Sequence, residues 1–291
     1  MFIDIHVHAR DYPCLPRWGK QAFATSAQLA ERYDALGIER AVVLPGVSPE
    51  CEYSPQSNQE IIELAKKNNR FIPFCNVDPR SLANRHDAPL GDLLRFYRDL
   101  GCKGVGELTA NLNFLDPMTQ NLFHHIEDVG LPLTFHISPG LGESYGLVDH
   151  VGLPQLEICL QRFPRLKFFG HSQAFWAEMG VMKNPADDRR GYPNYPVEEE
   201  GRVPKLMRKY PNLHGDLSAG SGANALTRDR AFGIAFLNEF QDRLFFGTDI
   251  CAPDTPTPLV DHLLDLRAAG DISEAVFQKV ARENAIRVLG L

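Results

Sequence analysis

A chain of 291 residues, 44% hydrophobic and 23% charged, has the make-up of a globular protein with room for one large α/β barrel. Its formal charge of −7 argues against a general nucleic-acid binder. No apolar run approaches membrane-spanning length, and the start lacks the basic stretch and long apolar core of a signal peptide, so a cytoplasmic protein without membrane contact is expected.

The predicted elements alternate strand and amphipathic helix. The first strand covers 1–8, where branched and aromatic residues alternate with Asp4, His6 and His8. With a period of two, both histidines leave one face, beside Phe2 and Asp4. A loop follows, and Ser26 begins a helix with Leu29, Tyr33 and Leu36 inward, stopped by Gly37. Strands are then expected at 40–45, 71–77 and 102–108, with helices at 55–68, 89–100 and 117–129 between and after them. The fifth strand covers 132–137, with a helix at 154–163, and the sixth covers 166–171. A longer stretch, 172–201, ends in a helix through 205–210. The seventh strand covers 213–218, followed by a helix at 224–240, and the eighth covers 243–249. Two helices near 258–269 and 273–289 close the chain.

Eight strands, each followed by a helix, imply a closed (β/α)8 barrel. The reading is one domain over 1–291, with 172–201 as a loop insertion after the sixth strand, on the active-site face. An open doubly wound sheet is the alternative, but no GxGxxG follows a strand and there is no phosphate loop. The six cysteines are Cys14, Cys51, Cys75, Cys102, Cys159 and Cys251, and none form a CxxC pair. They read as reduced, mostly buried thiols, not as a zinc-thiolate site.

In such a barrel the active residues come from the carboxyl ends of different strands. Those ends carry His6 and His8, Glu107, His136, His171 and Asp249, every one a metal-compatible side chain. Burying such groups costs several kcal/mol unless they are paired or bound to a cation. A single strand-end His is more often a hydrogen-bonded structural residue. Five strands ending this way together point to a metal site.

This ordered set resembles the amidohydrolase superfamily of metal-dependent barrels. The strings at 3–8, 104–107, 169–171 and 245–249, and the ending at 282–291, resemble its amidohydrolase-related branch. The resemblance implies that His6, His8 and Asp249 bind a divalent metal, with His136 a further ligand to the same ion or a second. Many members carry a carboxylated Lys on the fourth strand. Here Glu107 ends that strand, with Lys103 deeper on the same face, so Glu107 is a candidate bridge between two ions. In single-metal relatives the residue matching His171 is an acid/base and polarising group instead of a ligand. Nitrogen and carboxylate donors suit Zn²⁺, with Mn²⁺ or Fe²⁺ as alternatives. The expected chemistry is hydrolysis of an ester, lactone or amide-like bond in a small, anionic or cyclic substrate. A metal-activated water attacks, and Asp249 handles its proton. The alternative is a metal-dependent decarboxylase of an unsaturated or aromatic carboxylic acid.

Among the remaining residues, Arg10 and Arg17 in the loop after the first strand are candidates for a substrate carboxylate, against the alternative of exposed surface charges. Trp176, in the 172–201 insertion, is a candidate cover for the pocket. A subunit contact is the other reading of that insertion, which leaves a homodimer open. Ser218 is placed near substrate, and Asp216 is an expected partner for a metal-bound His. His86, His124, His125, His150, His214 and His262 read as structural or solvated, with His150, in a βα loop, also within reach of the pocket.

Overall fold

The structure, a computed structural model, describes residues 1–50 and 55–291. Cys51 lies outside the described residues. The strands are β1 (Phe2–Val7), β2 (Ile38–Val43), β3 (Phe71–Pro73), β4 (Val105–Leu108), β5 (Leu133–Ser138), β6 (Leu147–Val148), β7 (Phe168–His171), β8 (Leu213–Asp216) and β9 (Leu244–Phe245). All pairings between them are parallel, in the orders β1-β2-β3 and β4-β5-β7-β8-β9.

Backbone hydrogen bonds join the two sheets at both seams. At one seam Cys75 N–H donates to Gly104 O at 3.0 Å and Gly106 N–H to Cys75 O at 2.8 Å. At the other, Ile5 N–H donates to Phe246 O at 3.1 Å and Asp249 N–H to His6 O at 2.8 Å. The ring is therefore a closed eight-stranded parallel barrel, as expected. The short β6 stands outside it, paired with β5, and was not foreseen.

Two apolar layers hold the ring. Inside it, Ile3, Ile5, Val42, Leu44, Ile72, Phe74, Phe169 and Phe245 pack together, and Ala285 and Leu289 of the last helix join them. Outside it, Val7, Val43, Cys75, Leu108, Phe135 and Phe168 face the helices. The first helix, α1 (Ser26–Leu36), shows how local sequence sets an element: Thr25 and Gln28 form a capping box, and Gly37 ends it at φ +68°. Among the described residues no helix is long and apolar enough to cross a membrane.

The expected helix over 224–240 is broken into Ala219–Thr227 and Arg230–Glu239. Asp229 caps the second piece by accepting from Phe232 N–H. The eighth strand of the barrel is regular only over Leu244–Phe245, and by Asp249 the backbone has turned to φ +53°.

One expectation about β1 is overturned. Phe2 packs outside the ring against Phe246 and Phe277, and Asp4 accepts from the Tyr33 hydroxyl of α1. Ile3 and Ile5 point inward instead. The histidines do not share a face with Phe2 and Asp4 because the register slips. Asp4 pairs with Ala41 and Val7 with Val43, so β1 carries one residue more than β2 over that interval. This is a β-bulge, which re-aims the side chains beyond it, and past it His6 and His8 turn inward.

The same one-residue excess occurs in β4, where Val105 pairs with Leu133 and Leu108 with Phe135. Val105 and Leu108 both face the outer layer, and Glu107 between them faces in. A Cβ on Gly104 would sit 2.3 Å from the Phe74 ring, so Gly104 is the inward residue below the bulge, and Lys103 is not on the Glu107 face.

Candidate metal centre

The two bulges and the strand ends gather six side chains at the carboxyl end of the barrel. His6 is fully buried and His8, Glu107, His136 and His171 nearly so, while the Asp249 side chain remains 24% exposed toward the pocket. His6 Nδ1 donates to Asp216 Oδ2 at 2.6 Å, and His8 Nδ1 donates to the Leu44 carbonyl at 3.1 Å. Both rings therefore turn Nε2 toward the centre, 3.2 Å from each other.

Glu107 Oε2 lies 3.7 Å from His6 Nε2 and 3.6 Å from His8 Nε2, and Asp249 Oδ1 lies 3.6 Å from each. Ligand atoms held about 2.1 Å from one ion in tetrahedral array are about 3.4 Å apart. These two nitrogens and two oxygens fit that spacing, and the donor set is one that zinc or manganese accepts.

The second oxygens of both carboxylates face the other histidines. Glu107 Oε1 is 2.8 Å from His136 Nδ1 and 3.8 Å from His171 Nε2, and Asp249 Oδ2 is 3.8 Å from His171 Nε2. Glu107 thus stands between two sets of nitrogen donors. His171, Glu107 and His6 also form a group within coordinating reach, as do His6, His8 and Asp249.

The electrostatics favour a cation. Burial alone would lower the His6 pKa, but Asp216 and Asp249 raise it well above the ordinary range. Burial would raise Glu107, yet His136, His6 and His8 hold it well below the usual carboxylate range. Burial and the neighbouring His6 lower His171.

Behind the ligands, Asp4 accepts four hydrogen bonds. They come from His6 N–H at 3.0 Å, Thr248 N–H at 2.9 Å, the Thr248 hydroxyl at 2.5 Å and the Tyr33 hydroxyl at 2.8 Å. This carboxylate ties the β1 bulge to the turn that carries Asp249. Burial raises its pKa to about 6, against the lowering effect of those donors. The β4 bulge needs glycine at Gly106, whose φ is +139° and whose Cβ would meet the Thr134 carbonyl at 2.6 Å.

Several expected substrate contacts lie elsewhere. Trp176 is a core residue: its indole N–H donates to Asp216 O at 2.9 Å and its ring fills the space above Gly215. Residues 173–176 form a helical turn that drives Phe175 and Trp176 inward. Ser218 is fully buried, with Oγ 3.0 Å from His171 Nδ1, so it contacts His171 instead of the pocket. Arg10 is buried, donates to Pro55 O at 2.8 Å and does not line the pocket. Arg17 does line it, together with Phe23, Pro45, Thr109, Tyr145 and Cys251, none of which the sequence singled out. Asp4 was in view only as a member of the first strand, although its place two residues before His6 was a usable signal.

The amidohydrolase family model matches residues 3–291. No curated protein sequence matches the chain. Among solved structures, similarity extends to an amidohydrolase from Burkholderia multivorans with bound zinc, at 16% identity and TM-score 0.65, covering 100% of this chain and 99% of that one. A dihydroxybenzoic acid decarboxylase from a Polaromonas species with bound manganese is 14% identical, TM-score 0.53, with 100% and 97% covered. A dihydroorotase from Campylobacter jejuni is 14% identical, TM-score 0.53, with 100% and 83% covered. At these identities the likeness is one of fold.

Proposed function

This chain belongs to the amidohydrolase family, and on that premise we propose a metal-dependent hydrolase of a small ester, lactone or amide-like substrate. The observation that carries this reading is Glu107, whose two oxygens face different nitrogen pairs, His6 with His8 and His136 with His171. In this reading His6, His8 and Asp249 would hold one divalent ion, His136 and His171 would hold a second, and Glu107 would contribute to both. Zinc is the first choice, with manganese or iron as alternatives. Such ions supply Lewis acidity, lowering the pKa of water to about 7 and polarising a carbonyl.

The chain's own residues do the rest. Asp216 and Leu44 O orient His6 and His8. Asp249, the most exposed of the acidic ligands, accepts the proton of the attacking water and returns it to the leaving group. Arg17, at the same pocket, offers a cation to an anionic substrate.

A second reading is favoured by one contact. His136 Nδ1 donates to Glu107 Oε1 at 2.8 Å, which closes the second donor set with a hydrogen bond. With one ion and His171 free, the site suits a decarboxylase of an unsaturated or aromatic carboxylic acid, with His171 and Asp249 managing the proton. The test is a panel of lactones, esters, amides and such acids, turned over by the metal-loaded protein. Release of acid, lost in Asp249→Asn, supports hydrolysis, and release of CO2 supports the second reading. Full metal loading with no turnover of any class would overturn both.

A further inference from the structure

The pocket beside the metal ligands is small, about 70 Å³. A second cavity of about 290 Å³ adjoins it. His136 and Tyr145 line both, with their ring centroids 4.5 Å apart and the rings tilted by 52°, so the pair marks the border where the two cavities meet. The His136 ring is held from behind: Gly146 has φ +108°, and a Cβ there would meet His136 Cδ2 at 2.8 Å. The second cavity lies between the loop after β5 and the 172–201 insertion, and Ser144, Gln173 and Arg190 face it.

We propose that this second cavity is a carboxylate subsite that takes the distal arm of an elongated, dianionic substrate whose reacting end lies at the metal ligands. The inference rests on the metal-dependent reading above. Three donor types converge there: a hydroxyl, a carboxamide and a guanidinium, the last suited to planar carboxylates. The protein supplies its own stand-in. Glu143, from the cavity's own loop, pairs with Arg190, which also donates to Ala186 O. The Glu143 carboxylate lies back against its own loop, with Oε1 2.5 Å from where a Cβ of Gly140 would stand. An incoming carboxylate replaces Glu143 on Arg190, so Glu143 acts as an internal competitor.

The two neighbours therefore make opposite predictions. Calorimetric titration of the metal-loaded protein would compare the dicarboxylates from succinate to pimelate with monocarboxylates of matched length. One dicarboxylate is expected to bind roughly tenfold more tightly than its match. Arg190→Ala removes that advantage, and Glu143→Gln enlarges it several-fold. Both side chains are more than 40% exposed, so neither change threatens the fold. Equal affinities throughout the series would overturn the proposal, as would an advantage that survives Arg190→Ala or is lost only in Arg17→Ala. Metal-dependent monocarboxylate binding reports on the metal centre separately. If it is absent while the Arg190-dependent advantage remains, the metal reading falls and the subsite stands.

Discussion

His6 Nδ1 and Asp216 Oδ2 are 2.6 Å apart, both fully buried, and 210 positions separate them in the chain. The contact fixes the tautomer of His6 and turns its Nε2 toward His8, Glu107 and Asp249. Asp216 also accepts from Ser218 N–H at 3.0 Å, which holds the carboxylate in place. Removing it with Asp216→Ala should weaken metal binding by roughly 10- to 100-fold. Asp216→Asn, which keeps an acceptor but loses the charge, should fall between the two. Competition with a chromophoric chelator measures this, and unchanged affinity in both variants would refute the orienting role.

In the two-ion reading, Glu107 would decide the number of ions. Elemental analysis of the metal-loaded protein should return two divalent ions per chain, and Glu107→Gln should return one. A single ion in the native chain would instead favour the decarboxylase reading, with His136 bonded to Glu107.

Asp4 bears on both stability and the site. Asp4→Ala strands the donors of His6, Thr248 and Tyr33, and each buried donor left unpaired costs about 1–3 kcal/mol. A loss of roughly 2–4 kcal/mol is expected for the metal-free protein, with a smaller loss for Thr248→Val. Urea unfolding measures both. Losses under about 0.5 kcal/mol, the range of ordinary surface changes, would show that the β1 bulge is held by other contacts.

His214 gives the acid limit. It lies inside the barrel between Phe169 and Phe245, with Nδ1 lacking a hydrogen-bond partner among the described residues. Burial, helped by Arg243 and Lys167, lowers its pKa to about 3. The folded value lies below the unfolded one of about 6.5, so between these values the unfolded chain binds the extra proton. Stability from this residue is therefore complete above about pH 6.5 and is lost as pH falls toward 3, by at most about 1.4 kcal/mol per pH unit. His214→Phe should flatten the pH dependence of unfolding free energy between pH 6.5 and 4. An unchanged slope would rule His214 out as its source.

Much of the barrel was legible because its signals are local. Apolar runs of strand length, amphipathic helices and stops such as Gly37 act over a few residues, and each appears near its expected place. The strand-end donors were legible for the same reason, since polar groups that close apolar strands stand out against them. Trp176 misled because an aromatic in an insertion has no periodicity to say which way it faces. The pairing of the second cavity's two loops, and Tyr145 between them, had no sequence signal at all.

The sequence by itself determined the eight strand–helix units and the inventory of nitrogen and carboxylate donors at their ends. It did not determine which face each donor would take. That depends on bulges at 4–7 and 105–108, and a bulge exists only relative to the neighbouring strand against which the extra residue is counted. Only the tertiary structure brought Asp216 behind His6, set Glu107 between two pairs of histidines and tied Asp4 to Thr248. These are contacts between distant segments, created by barrel closure, and no local pattern encodes them.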